Sequence, residues 1–260
     1  MRLLPRLLGL LGLLVPLAAA EAQPASNLQR VLESGTLRVG TTGDFKPMSF
    51  KDPGSGDYVG YDIDVVRQLA EDMGVAIQFV PTDWKTLVNG IVADKYDITT
   101  SASLNVQRAK VAGFSEPYVD FGTVPMTLRG NLEQFQGWDS IDRPEVTVAV
   151  TLGTVFEQQA RQFFPNAKIV AVESPARDFQ EVLSGRALVA ITSNVEAASL
   201  KEAYPELVTV PVDQARARRP GAFLLPQSDQ VWINFVNHWV RLNHANGVLG
   251  ELQKKWRIAD

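Results

Sequence analysis

The chain has 260 residues, with 25 Lys and Arg against 29 Asp and Glu, two His and no Cys. That length holds one large domain or two lobes, and a mildly acidic chain without a basic tract argues against nucleic-acid binding. Without Cys there is no disulfide, thiolate nucleophile or lipid-modified N-terminal Cys, and His238 and His244 alone give no zinc set, so neither metal nor cofactor is expected.

Residues 1–22, MRLLPRLLGLLGLLVPLAAAEA, read as a cleavable secretion signal. Arg2 and Arg6 supply the positive start, Leu7 to Leu17 an apolar core too short to span a bilayer, and Ala20-Glu21-Ala22 the small-x-small cleavage site. The mature chain is expected to be periplasmic, untethered and monomeric. Residues 27–33 predict a short helix ended by Gly35, 36–40 a strand, and 41–50 a loop broken by Gly43 and Pro47. Tyr61 opens a helix with Ile63, Val66, Leu69 and Ala70 at helical spacing and Gly74 as its stop. A strand at 77–81, a helix at 84–93 and a strand at 97–100 follow.

Past Tyr118 the pattern restarts. Strands are predicted at 124–129, 147–150, 168–172, 188–192, 207–212 and 222–226. Between them lie helices carrying Phe156, Ala160 and Phe163, then 176–184 and 195–203. Two amphipathic stretches from Gln230 to Trp256 close the chain and contain both histidines. Alternating strands and helices predict α/β layers with a largely parallel sheet. Alternation alone also allows a single doubly wound sheet, and in either case ligands belong beyond the carboxyl ends of strands.

The most informative run is DITTSASLNVQRAKVAGFSEPY, from Asp97 to Tyr118. A strand end, a loop of small hydroxyl residues (Ser101, Ala102, Ser103) and a helix carrying Arg108 make a receptor for a carboxylate. Two readings are open at this point, since Arg108 on a solvated helix face and Ser/Thr as an ordinary N-cap would give the same letters. Ser101 to Tyr118 resembles the S-x-(S)-x-(T/N)-x-x-R-x-x-x-V-x-F-S-x-P-Y signature of bacterial periplasmic solute-binding proteins of the polar amino-acid type. LRVGTTGDFKPMSF and GYDIDVVRQLAEDMG extend the likeness over nearly the whole mature chain.

That resemblance implies an α/β, two-lobed periplasmic binding protein-like (type II) fold with a hinge and an interlobe cleft. Residues 23–125 plus 225–260 would form lobe 1 and 126–224 lobe 2, with crossings near Pro125 and Arg219–Phe223. It implies a small carboxylate or amino-acid ligand and an ABC-type permease as partner. Asp44 and Phe45 would line the cleft from the first loop, although Asp44 beside Gly43 equally suits a turn cap. Trp84 would pack on the ligand, or else staple the core. Ser101, Ser103 and Arg108 would hold the carboxylate from one lobe. Gly153 and Thr154, at the start of a helix, would hold it from the other, so that closure follows from contact with both.

One position departs from the family pattern. Amino-acid binders carry an aspartate for the ligand ammonium where this sequence has Ser193, and a buried ammonium without a counter-charge is costly. The stretches RVLESGTLRV, TTGDFKP and FQEVLSGRALVAITSNVEA also resemble cyclohexadienyl dehydratases, prephenate/arogenate dehydratases on the same scaffold. That likeness implies Glu196 as general acid to a departing hydroxyl. Against it, Thr123 stands where those enzymes have a cleft lysine, and Thr151 and Val155 where they have asparagines.

Overall fold

The computed structural model describes residues 25–100 and 102–258. The predicted signal at 1–22 and the candidate ligand residue Ser101 lie outside the described residues. The molecule is α/β and two-lobed. In the first lobe the strand Thr36–Thr41 lies between Ala76–Pro81 and Ile98–Thr99, parallel to both. Parallel neighbours need a crossover, and the helix Tyr61–Met73 supplies the first. Ile63, Val66, Leu69 and Ala70 are buried on it, and Gly74 caps its end in the left-handed region.

The C-terminal helix Gln230–Ala245 returns to this lobe and buries Trp232, Val236, Trp239 and Val240 with Leu37, Val39 and Val66. The Trp232 indole donates to the Asp97 carbonyl at 2.9 Å. Asp97, 1% exposed, accepts from the Arg38 amide at 2.8 Å and pairs with the Arg30 and Arg38 guanidiniums. The Asp97 carboxylate thus ties the helix Asn27–Ser34 to the strand Thr36–Thr41, while the carbonyl of the same residue holds the C-terminal helix.

In the second lobe Thr147–Thr151 lies parallel to Lys168–Val172 and Val189–Ser193 over a core of Val148, Val150, Phe164 and Ile191. Beyond Val189–Ser193 the sheet turns antiparallel. Val119–Leu128 pairs with it, then with Arg216–Ala222, which pairs with Ala102–Ser103. The largely parallel sheet expected from the alternation is therefore confined to the strands linked by helices. Strands that run out from one lobe and back from the other are antiparallel by necessity.

Two other differences have local causes. The strand predicted from 124 begins at Val119, because Asp120 and Gly122, which look like breaks, are accommodated beside the buried Phe121. The helix predicted from Trp84 begins at Leu87. Asp83 accepts the Thr86 amide at 2.8 Å, and this turn leaves Trp84 outside the helix and facing the cleft.

Candidate functional site

Arg108 sits on the short helix Val106–Ala109, whose N-cap Asn105 accepts the Arg108 amide at 2.9 Å. Its side chain is buried. Nη1 donates to the Ser103 carbonyl at 3.2 Å, and Nη2 crosses to the Gly153 carbonyl of the second lobe, also at 3.2 Å. Burial alone pushes its pKa down to about 10, and among the described residues no carboxylate pairs with it. A guanidinium in a dry setting with only carbonyl partners is a strong receptor for an anion.

Gly153 makes that approach possible. It has φ of 80°, and a Cβ there would lie 2.6 Å from the Lys85 Cα, so only glycine lets the two lobes touch at this point. The next residue, Thr154, is the N-cap of the helix Val155–Phe163 and donates its hydroxyl to the Thr151 carbonyl at 2.6 Å. Thr154 and Val155, the start of that helix, line the same cavity as Arg108, and the amide end of a helix favours an anion.

A second guanidinium comes from the other lobe. Arg177, 6% exposed, precedes the helix Asp178–Leu183. Nη2 donates to Glu196 Oε1 at 2.8 Å, Nε to the Thr151 hydroxyl at 3.2 Å, and Nη1 to the Asp44 carbonyl across the cleft. The Asp44 carboxylate is 3.3 Å from Nη1, and Asp178 is 3.9 Å from Nε. Trp84 fixes Asp44 in turn, its indole donating to Oδ1 at 3.0 Å.

Glu196 lies on the helix Asn194–Ala203, 2% exposed, with its other oxygen accepting from Thr192. Burial raises its pKa to about 7, Arg177 opposes that rise, and Asp178 adds to it. Burial likewise raises Asp178. Arg177 and Glu196 shift upward together, which simple pairing would not give. Three carboxylates share one guanidinium, so the cation gains from all three while Glu196 carries the desolvation cost.

Phe45, Trp84, Phe121 and Phe156 complete the wall of a cavity of about 20 Å³ that also touches Ser103, Arg108, Thr154, Arg177 and Glu196. Phe45 meets Trp84 and Phe121 edge-on, with centroids 5.7 and 5.6 Å apart. A more open space of about 200 Å³ adjoins it past Gly153, Asn105 and Gln107.

Of the residues singled out in the sequence, Phe45, Trp84, Ser103, Arg108, Thr154 and Glu196 line this one cavity. Asp44 joins it through Arg177 and Trp84, and Gly153 lines the adjoining space. Ser193 does not line it. Its hydroxyl is fully buried and caps a helix by accepting the Glu196 amide at 3.1 Å, which orients Glu196. Arg177 was not anticipated. The available signal was a cation directly before a helix start, where it opposes the macrodipole and needs some other justification.

The family model for bacterial extracellular solute-binding proteins, family 3, matches residues 37–259. The chain is 36% identical to cyclohexadienyl dehydratase of Pseudomonas aeruginosa over 95% of its own length and 92% of that protein. It is 25% identical to the L-cystine-binding protein TcyJ of Escherichia coli, over 90% of this chain and 86% of that one. Among solved structures it is similar to the ancestral amino acid-binding protein AncCDT-1, a precursor of cyclohexadienyl dehydratase. That match has a TM-score of 0.83 and 36% identity, covering 89% of this chain and 99% of the other.

Proposed function

Because this chain belongs to family 3 of the bacterial extracellular solute-binding proteins, we propose that it captures a small organic carboxylate between its lobes and delivers it to an ABC-type importer. On this reading the 1–22 segment is cleaved and the mature chain works untethered in the periplasm. Residues 23–125 with 225–260 act as one lobe and 126–224 as the other. The observation that carries the reading is Arg108, a buried guanidinium with carbonyl partners and, among the described residues, no carboxylate, reaching from one lobe to the other. An incoming carboxylate would take the place of those weak acceptors and meet the helix start at Thr154, so binding would favour the closed arrangement. Phe45 and Trp84 would pack on the ligand body. Arg108→Ala is expected to weaken binding by about 2–5 kcal/mol. Isothermal titration against any carboxylate that raises the melting temperature would measure it, and equal affinity in wild type and variant would refute the anchor.

A second reading, prephenate/arogenate dehydratase, is favoured by Glu196 and by the 36% identity to cyclohexadienyl dehydratase. A buried carboxyl raised to about 7 is poised to hold and release a proton near neutral pH. Arg177, 2.8 Å away, is a cation that the residues at Thr123, Thr151 and Val155 do not supply. Purified protein would then convert prephenate to phenylpyruvate, with water and carbon dioxide leaving. Glu196→Gln would abolish that turnover at unchanged folding. No conversion by wild type at high enzyme concentration eliminates this reading and leaves the first standing.

A further inference from the structure

The two buried cations of the cleft are employed differently. Among the described residues Arg108 meets the Ser103 and Gly153 carbonyls and no carboxylate, whereas Arg177 meets Glu196 at 2.8 Å and Asp44 at 3.3 Å, with Asp178 at 3.9 Å. The carboxylates at the cavity are thus already engaged by a guanidinium of the protein itself. We infer that Arg177 is a specificity-determining residue: its guanidinium holds the position that a ligand ammonium would need, so the cleft selects 2-oxo and 2-hydroxy acids over the matching α-amino acids. This rests on the reading of Arg108 as the carboxylate anchor.

The reasoning is electrostatic. An α-ammonium lies within a few ångströms of its own carboxylate, and both Arg108 and Arg177 line the same small cavity. A ligand held by Arg108 therefore brings its α-substituent next to Arg177, Glu196 and the threonines 151 and 154. Placed there, an ammonium loses its water, meets a like charge, and finds Glu196 and Asp44 occupied. A keto or hydroxyl oxygen instead accepts from guanidinium and hydroxyl donors. Glu196 does not reverse this preference, because Arg177 already holds its Oε1 and Thr192 its Oε2.

The test uses matched pairs: pyruvate with alanine, 2-oxoglutarate with glutamate, phenylpyruvate with phenylalanine, and prephenate with arogenate. Titration calorimetry on the secreted full chain gives a ratio of affinities for each pair that binds. In wild type the oxo member is expected to bind about tenfold tighter or more. Arg177→Gln frees Glu196 and Asp44 and is expected to flatten or invert that ratio, while Arg177→Lys keeps it. A wild-type ratio favouring the amino member overturns the inference without any variant, even should Arg177→Gln fail to fold. A ratio unchanged in a folded Arg177→Gln protein overturns it as well. Binding of amino acids alone leaves the Arg108 anchor in place, whereas no binding by any member refutes both.

Discussion

Glu196 is where sequence and environment disagree most. As letters, an acid three residues into a helix is an ordinary solvated side chain, and only its neighbours make it otherwise. Burial and the nearby Asp178 raise its pKa from 4.5 to about 7 against the pull of Arg177. A group that binds protons more tightly when folded makes the folded state less stable as pH rises from its unfolded value to its folded one. Wild type should therefore lose stability between about pH 4.5 and about pH 7 relative to Glu196→Gln, by at most about 3.5 kcal/mol at about 1.4 kcal/mol per unit. Melting curves of the two proteins across pH 4 to 8 read the difference directly. Parallel curves would mean that Glu196 titrates at its ordinary value. Asp178, raised by burial as well, interacts with Glu196 and shares Arg177 with it, so the difference between the two proteins reports the pair of carboxyls together.

At the scale of elements, legibility followed periodicity. The strand Lys168–Val172 and the helix Tyr61–Met73 stand at their predicted places, since a β-branched run and a helical stripe are local signals. Arg108 and Thr154 are singled out instead by a helix-start pattern and a likeness to a family signature, and the fold brings both to one cavity. What was not legible depends on contacts made over long separations. Val119–Leu128 is a single long strand only because Arg216–Ala222 and Val189–Ser193 flank it. Arg177 becomes a cleft residue only because Glu196 and Asp44 meet it. Asp97 is the same kind of residue in the first lobe. It is 1% exposed and joined to Arg38 and Arg30, which are themselves 28% and 40% exposed. Asp97→Ala should cost about 2–4 kcal/mol in urea unfolding, below the full figure for a buried pair because both partners keep some water. Arg30→Ala should cost under about 1 kcal/mol. Equal losses from the two would contradict the assignment of Asp97 as the common pin.

Across the whole molecule, among the described residues, two exposed ion pairs, Lys85–Glu173 and Arg257–Glu202 at 3.7 Å, and two buried links join the lobes. Lys85 and Glu173 pair at 2.8 Å on the rim, 58% and 63% exposed, and such pairs contribute little in water. The two buried links are reciprocal: Arg108 reaches from the first lobe to the Gly153 carbonyl, and Arg177 from the second to Asp44. A charge-assisted bond in a dry site is worth about 1.5–3 kcal/mol, enough to move a two-state equilibrium by about tenfold or more. Both contacts exist only where the lobes meet, so they add to the free energy of closure alongside whatever a solute contributes. Removing the Arg177 link should open the ligand-free molecule, while removing the rim pair should not. Small-angle scattering of ligand-free protein is expected to give a larger radius of gyration for Arg177→Gln than for wild type, and an unchanged one for Lys85→Ala. Identical radii for all three would place the closing free energy in the strands Val119–Leu128 and Arg216–Ala222 that connect the lobes, and not in the cleft.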